Sequence, residues 1–358
     1  MDVDKLTFLI KRIPPWLRST GSYNDIVIYT QVSIVRNLKK YMFVHKLSFE
    51  EKKHLSMEVI EGIGEILDKD SFYIIDLAEL DKLDNKLLRS LYERQIIKKE
   101  SLNDFLGKKV MFYVDESLYV IINEDEHFKI KIRVSGFNFD FLYKKLIEIC
   151  KSLSFVFEFA FDSKYGFLSA YPQNVGLGIF FEVLTYIPAL VVTRKIDDIL
   201  KDFRKKGLYP RGFYEGNRAA IRGDLVYFYT YSGLGKSEEE LSHEFKVSIE
   251  KLIDEEKKTR REIYEKIPLI IEDRVYKSLG MLREAKLLNM LETVEILGGV
   301  RMGKIFDIDY DLPSLQILNE LLLFTQPSHL SIITQKDLKD IYLEDSVRAE
   351  FVKDKLGV

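Results

Sequence analysis

Residues 109–134 read KVMFYVDESLYVIINEDEHFKIKIRV. Two apolar runs, Lys109 to Val114 and Ser117 to Ile122, are separated only by Asp115-Glu116, and a third, Phe128 to Val134, follows a short acidic break. Runs this short, rich in valine, isoleucine, tyrosine and phenylalanine and bounded by polar residues, spell β-strands. Links of two and five residues imply antiparallel neighbours.

Working outward, Pro14, Pro15 and Trp16 mark a turn, and Asp25 to Ile28 begins a strand-like run that continues through Val32 to Val35. Ser48 to Leu67 has helical spacing, with Leu55, Val59, Ile60 and Ile63 on one face. Downstream, helices are expected at Asn138 to Leu153, at Phe180 to Arg194 and just before Gly207. The pattern predicts an α+β fold, a mixed, largely antiparallel sheet flanked by helices. Around Ser237 the chain becomes helical and charged, and Ser237-Glu238-Glu239-Glu240 fits a capping box. Lys251 to Lys266 reads as a charge-dense helix at a domain boundary. Leu312 to Phe324 is apolar almost all round, as in a helix buried in a bundle or at a subunit contact. The expected division is a domain at 1–254, with 1–70 as its lead-in, and a helical C-terminal domain at 255–358.

Composition narrows the function. Lys+Arg number 54 against 57 Asp+Glu in 358 residues, a net charge of −3 without the basic footprint of nucleic-acid binding. Cys150 is the single cysteine, so there is no internal disulfide and no cysteine-based metal site; a cytoplasmic, reducing location is expected and no metal site is predicted. The first apolar stretch is interrupted by Lys5, Lys11 and Arg12, and no run approaches the ~20 apolar residues of a membrane span. Neither a secretory signal nor membrane association is expected.

Gly233-Leu234-Gly235-Lys236-Ser237 has the end of a P-loop, but the required glycine five positions before Gly235 is Thr230. Three other segments carry more. Asn123-Glu124-Asp125-Glu126-His127 packs three carboxylates into one turn, either a solvated hairpin turn or a site for something cationic. Tyr171 to Gly178 is a glycine-rich turn expected to lead into a helix, either structural or a place where backbone N–H groups meet an anion. Arg211 to Arg218 combines charge with Gly212 and Gly216, either a surface loop or a binding loop.

Taken in order, these segments resemble the bacterial protein-arginine kinases of the ATP:guanidino phosphotransferase family. The resemblance runs over Asp25-Ile26-Val27 with Arg36-Asn37, Asn123 to His127, Pro172 to Gly176, Pro188 to Arg194, Gly235 to Glu238 and Glu272 to Tyr276. It continues through Ile317 to Leu321 and Thr325-Gln326-Pro327, and covers nearly the whole chain. It implies a guanidino-kinase catalytic domain followed by a helical domain, with Mg-ATP as phosphoryl donor. In that reaction two carboxylates hold a guanidinium and help remove its proton as it attacks the γ-phosphate, while cations surround the phosphates.

Residue by residue, the resemblance gives Asp125 and Glu215 as the catalytic carboxylates, and Lys129, Arg211, Asn174 and Gly176 as contacts to the nucleotide. Asp125 is one methylene shorter than the family's glutamate, and Lys129 replaces an arginine. Gln31, Ser33 and Phe180 stand where the family has arginines, and Tyr171 where it has a reactive cysteine. Three lost charge-assisted hydrogen bonds at about 1.5–3 kcal/mol each would cost roughly 10⁴ to 10⁶ in rate. Arg218 and Arg222 are candidate replacements. The family's phosphoarginine-binding motif is matched in part by Glu344 to Ala349, giving Asp345 and Arg348 as a phosphoarginine-binding pair. The expected function is a degenerate family member that binds phosphoarginine or protein partners of a regulated proteolysis system, with weakened ATP binding. The alternative is an active protein-arginine kinase, and a purely structural dimer partner is a third reading. A homodimer is expected.

Overall fold

The computed structural model describes residues 3–213, 221–231, 233–308 and 310–357. The strands are β1 (Val27–Arg36), β2 (Phe72–Asp76), β3 (Lys109–Tyr113), β4 (Leu118–Ile122), β5 (Phe128–Ser135), the short pair β6 (Phe161–Asp162) and β7 (Gly166–Phe167), β8 (Ile179–Tyr186), β9 (Leu208–Gly212) and β10 (Leu225–Thr230). The helices are α1 (Val3–Ile10), α2 (Phe49–Leu67), α3 (Leu77–Leu83), α4 (Asn85–Glu93), α5 (Phe139–Val156), α6 (Pro188–Val192) and α7 (Ile196–Lys205). They continue as α8 (Glu238–Lys266), α9 (Pro268–Glu284), α10 (Met290–Ile305), α11 (Leu315–Phe324), α12 (Pro327–Thr334) and α13 (Ile341–Leu356).

The main sheet runs β2-β3-β4-β5-β1-β8-β10-β9 among the described residues, and every pairing in it is antiparallel rather than mixed. β1, in the stretch read as a lead-in, is a central strand between β5 and β8. The expected helix over Phe180 to Arg194 is corrected: Ile179–Tyr186 is strand β8, and only Pro188–Val192 is helical. Ile179, Phe181 and Val183 face the core, while Glu182 and Phe180 face the other way. That is a period of two, and pairing on both edges with β1 and β10 satisfies the backbone as a helix would. The Pro172 to Gly178 turn therefore leads into a strand.

One face of the sheet is closed by α2, α5 and the start of α8, in a core that includes Val32, Ile34, Ile130, Phe181, Leu55, Leu146 and Phe245. The opposite face is covered at one end by α1, α3 and α4, over Val110, Phe112 and Ile121. At the other end the C-terminal helices cover Tyr29, Leu184 and Tyr227. Between these covers lies a strip of the sheet filled by polar residues, of which Gln31, Ser33, Lys131 and Arg133 are buried. Capping boxes start α2 at Ser48/Glu51 and α8 at Ser237/Glu240, the second as the sequence predicts. α8 runs unbroken past residue 255, and the chain breaks direction at Ile267-Pro268, where proline begins α9. α11 buries Leu318, Leu321, Leu322, Leu323 and Phe324 within the chain. No helix among the described residues is long and apolar enough to cross a membrane.

Candidate active site

Antiparallel register lines up side chains in rows across this face of the sheet. One row is Arg133, Gln31, Glu182, Tyr229 and Tyr209. The next toward the β4–β5 turn is Lys131, Ser33 and Phe180, and beyond it stand Lys129 and Val35. On the other side of the first row lie Tyr29, Leu184, Tyr227 and Arg211.

The acidic turn closes the strip and is held from beneath. Asn123 takes a left-handed φ of 60°, which asparagine tolerates, and its amide donates to Lys52 O, Ser56 Oγ and Gly107 O at 2.9–3.0 Å. His127 accepts from the Leu38 amide at Nδ1 and donates from Nε2 to Met42 O, each at 2.8 Å. Burial lowers its pKa and keeps the ring neutral.

Each carboxylate in the turn has its own donors, which offsets their mutual repulsion. Glu124 accepts from the Lys98 amide at 2.8 Å and Ser101 Oγ at 2.9 Å. Burial opposes its ionisation, but Lys131, the Lys98 amide and Lys129 outweigh that and hold its pKa below the ordinary value. Glu126 accepts from Asn37 Nδ2 at 2.5 Å, Asn174 Nδ2 at 2.6 Å and Ser169 Oγ. Asp125 is ion-paired with the Lys98 ammonium.

Glu124, Asp125 and Glu126 line a cavity of about 280 Å³, with Lys98, Lys129, Asn174, Phe180 and Tyr229 around it. The Lys129 ammonium has no hydrogen-bond or ion-pair partner among the described residues; it lies 5.9 Å from the centre of the Phe180 ring. The next two cations on β5 are differently placed. Lys131 donates to the carbonyls of Gln95 and Ile96 at 2.9 and 2.8 Å, and Arg133 to those of Arg94 and Gln95 at 2.7 and 2.8 Å. These carbonyls belong to the C-cap of α4 and the two residues after it, beside the helix end that favours positive charge. Burial, then repulsion from Lys129 and Arg133, takes the Lys131 pKa well below that of a free lysine.

Of the residues singled out in the sequence, Asp125, Lys129 and Asn174 line one cavity, and Asn174 donates to Glu126 and so braces the acidic turn. Arg211 shares the face but stands two rows from Phe180, about 13 Å along the strands, ion-paired with Glu182 at 3.7 Å and stacked over Tyr227 at 4.6 Å. Glu215 and Arg218 lie outside the described residues. Gly176 is placed beside this cavity's lining: its N–H donates to Phe167 O, and the Asn174 and Val175 amides donate to Tyr171 O and Pro172 O, so these three amides are engaged within the chain. Arg222 pairs with Glu295 at 3.4 Å, away from the cavity lining.

Arg348 is fully buried rather than presented to a ligand. Its guanidinium donates to Thr325 O and Leu288 O at 2.8 Å, to Asp345 at 2.6 Å and to Glu344. Nε, Nη1 and Nη2 are all engaged inside the chain, and the two carboxylates beside them repel a phosphate. The sequence reading missed Lys98, for which Lys98-Lys99-Glu100 offers no signal beyond a solvated charge run. Lys131 and Arg133 had a signal in the i, i+2, i+4 spacing from Lys129, which puts three cations on one strand face.

Residues 57–259 match the family model described as ATP:guanido phosphotransferase, C-terminal catalytic domain, and residues 268–358 match the protein-arginine kinase McsB C-terminal domain. The protein-arginine kinase of Halalkalibacterium halodurans is 32% identical over 90% of this chain and 90% of its own. That of Clostridium kluyveri is 32% identical over 96% of this chain and 98% of its own. Among solved structures, the fold is similar to lombricine kinase, with a TM-score of 0.55 at 18% identity over 69% of this chain and 71% of that one. The duplicated taurocyamine kinase from Schistosoma mansoni gives 0.57 at 21% identity over 71% of this chain and 39% of that one.

Proposed function

This chain belongs to the ATP:guanido phosphotransferase family, in its bacterial protein-arginine kinase branch, and from that membership we propose that it is an ATP-dependent protein-arginine kinase. It transfers the γ-phosphoryl group of Mg-ATP to a guanidino nitrogen of an arginine side chain in a protein. The observation that carries this reading is the cavity in which the Asp125 carboxylate faces Lys98 and Lys129. As the N–P bond forms and the bond to the leaving ADP oxygen breaks, Asp125 holds the guanidinium and takes its proton, and Lys129 meets phosphate oxygens. Incubation with Mg-ATP and an arginine-rich unfolded protein should yield acid-labile protein-bound phosphate, and Asp125→Asn should form it far more slowly. Absence of that phosphate with the wild-type chain overturns the reading.

A second reading, a regulator with weak or no transfer, is favoured by one observation. Gln31, at a position where the resemblance expects a phosphate-binding arginine, is buried and donates to Ser33 Oγ at 3.2 Å. On this reading Mg-ATP binds with a dissociation constant of about a millimolar or weaker; low-micromolar binding by calorimetry rules it out. Either reading is set in the cytoplasm and includes a homodimer, and the exposed Leu269, Ile270, Tyr276 and Met281 of α9 support the homodimer. Light scattering showing only monomer at micromolar concentration counts against that assembly.

A further inference from the structure

Lys98 enters the cavity from outside the sheet. It follows α4, and its backbone is pinned to the acidic turn by the 2.8 Å bond from its amide to Glu124. The side chain is anchored at its base and partly exposed at its end, with 44% of its surface open against 27% for Asp125. Its ammonium shares the cavity with that of Lys129, and the two repel: after burial, Lys129 is the largest influence lowering the Lys98 pKa. Among the described residues, one of these two ammonium groups has no hydrogen-bond or ion-pair partner and the other is paired with Asp125. The residues on the neighbouring strands are unsuited to polyphosphate. Ser33 accepts from Gln31, Gln31 accepts from Arg133, and Phe180 is apolar.

We infer that Lys98 and Lys129 together bind the phosphate chain of the nucleotide, and that Lys98 must leave Asp125 to do so. This rests on the phosphotransfer reading for the identity of the acceptor, but the polyphosphate site itself does not. The exchange is balanced: one ion pair, Lys98 with Asp125, is replaced by two, Lys98 with a phosphate oxygen and Asp125 with the incoming guanidinium. The free protein therefore keeps its carboxylate occupied until phosphate arrives. Nucleotide and acceptor then bind with positive coupling, which is reciprocal by linkage.

The test uses the full chain and its Lys98→Gln and Lys98→Arg variants, with folding checked by circular dichroism. Mg-ATP and inorganic tripolyphosphate are titrated by calorimetry, and the KM for an arginine-rich unfolded protein is measured below and above ATP saturation. Lys98→Gln should weaken binding of both polyphosphates roughly tenfold or more, the loss expected for one charge-assisted hydrogen bond, whereas Lys98→Arg stays within a few fold of wild type. In the wild type the acceptor KM should fall as ATP saturates, and in Lys98→Gln it should not change. Wild-type transfer with unaltered polyphosphate binding in Lys98→Gln overturns the inference and leaves the kinase reading standing. Lys98-dependent tripolyphosphate binding without any transfer does the reverse. A wild-type chain that binds neither polyphosphate at millimolar concentration also overturns it.

Discussion

Arg133 donates from Nε to the side-chain oxygen of Gln31 at 2.6 Å, and the two residues are register partners across β5 and β1. Both are buried, so neither has water as an alternative partner. Gln31→Ala leaves the Arg133 Nε without this acceptor and should cost about 1–3 kcal/mol in urea denaturation. Gln31→Arg sets two guanidinium groups against each other, so it should cost at least as much and should not raise ATP affinity.

Asp125 can be changed without harm to the fold, because it is partly exposed and holds no backbone group. Asp125→Asn should lower phosphotransfer by about 10² to 10⁴, the usual contribution of a positioned base, and leave the melting temperature nearly unchanged. Asp125→Glu restores the longer carboxylate that the family resemblance leads one to expect, and its activity should equal or exceed that of the wild type. Initial rates of acid-labile phosphate formation check both.

Phe180 lines the cavity and is only partly buried, and it is its neighbour Phe181 that packs in the core. Phe180→Arg should therefore fold, and should strengthen ATP binding about tenfold by adding a forked donor at the phosphate site. Calorimetry that finds no gain would place the phosphates elsewhere.

His329, at the start of α12, joins the helical region to α4: its Nδ1–H donates to Glu93 at 2.7 Å and its Nε2 accepts from Arg94 Nε at 3.1 Å. Burial lowers its pKa despite Glu93, so the unfolded chain binds the proton more readily than the folded one. Its contribution is complete above the unfolded value of about 6.5 and is lost as pH falls toward the depressed folded value, with a slope of up to about 1.4 kcal/mol per pH unit. His127 acts in the same direction. Urea titrations between pH 7.5 and 5 should show stability falling with pH, and the fall should be shallower in His329→Gln.

Local patterning was enough for the elements whose side chains meet one kind of surroundings. The strands of residues 109–134, the helix after Ser48 and the capping box at Ser237 follow from periodicity and from backbone groups that need a partner within four residues. That the acidic turn and Lys129 lie together was legible too, because neighbours in sequence remain neighbours across a tight turn. Residues 180–194 misled because β8 carries apolar side chains on both faces, Phe180 toward the cavity and Phe181 toward the core, which hides the period of two. Sequence also left open how the carboxylates and cations pair. Arg133 meets Gln31 across 102 positions, and Lys98 meets Asp125 only because α4 ends over β5. Those pairings are set by which carbonyls and carboxylates the packed elements leave free, a property of the assembled sheet and its covering helices rather than of any segment within it.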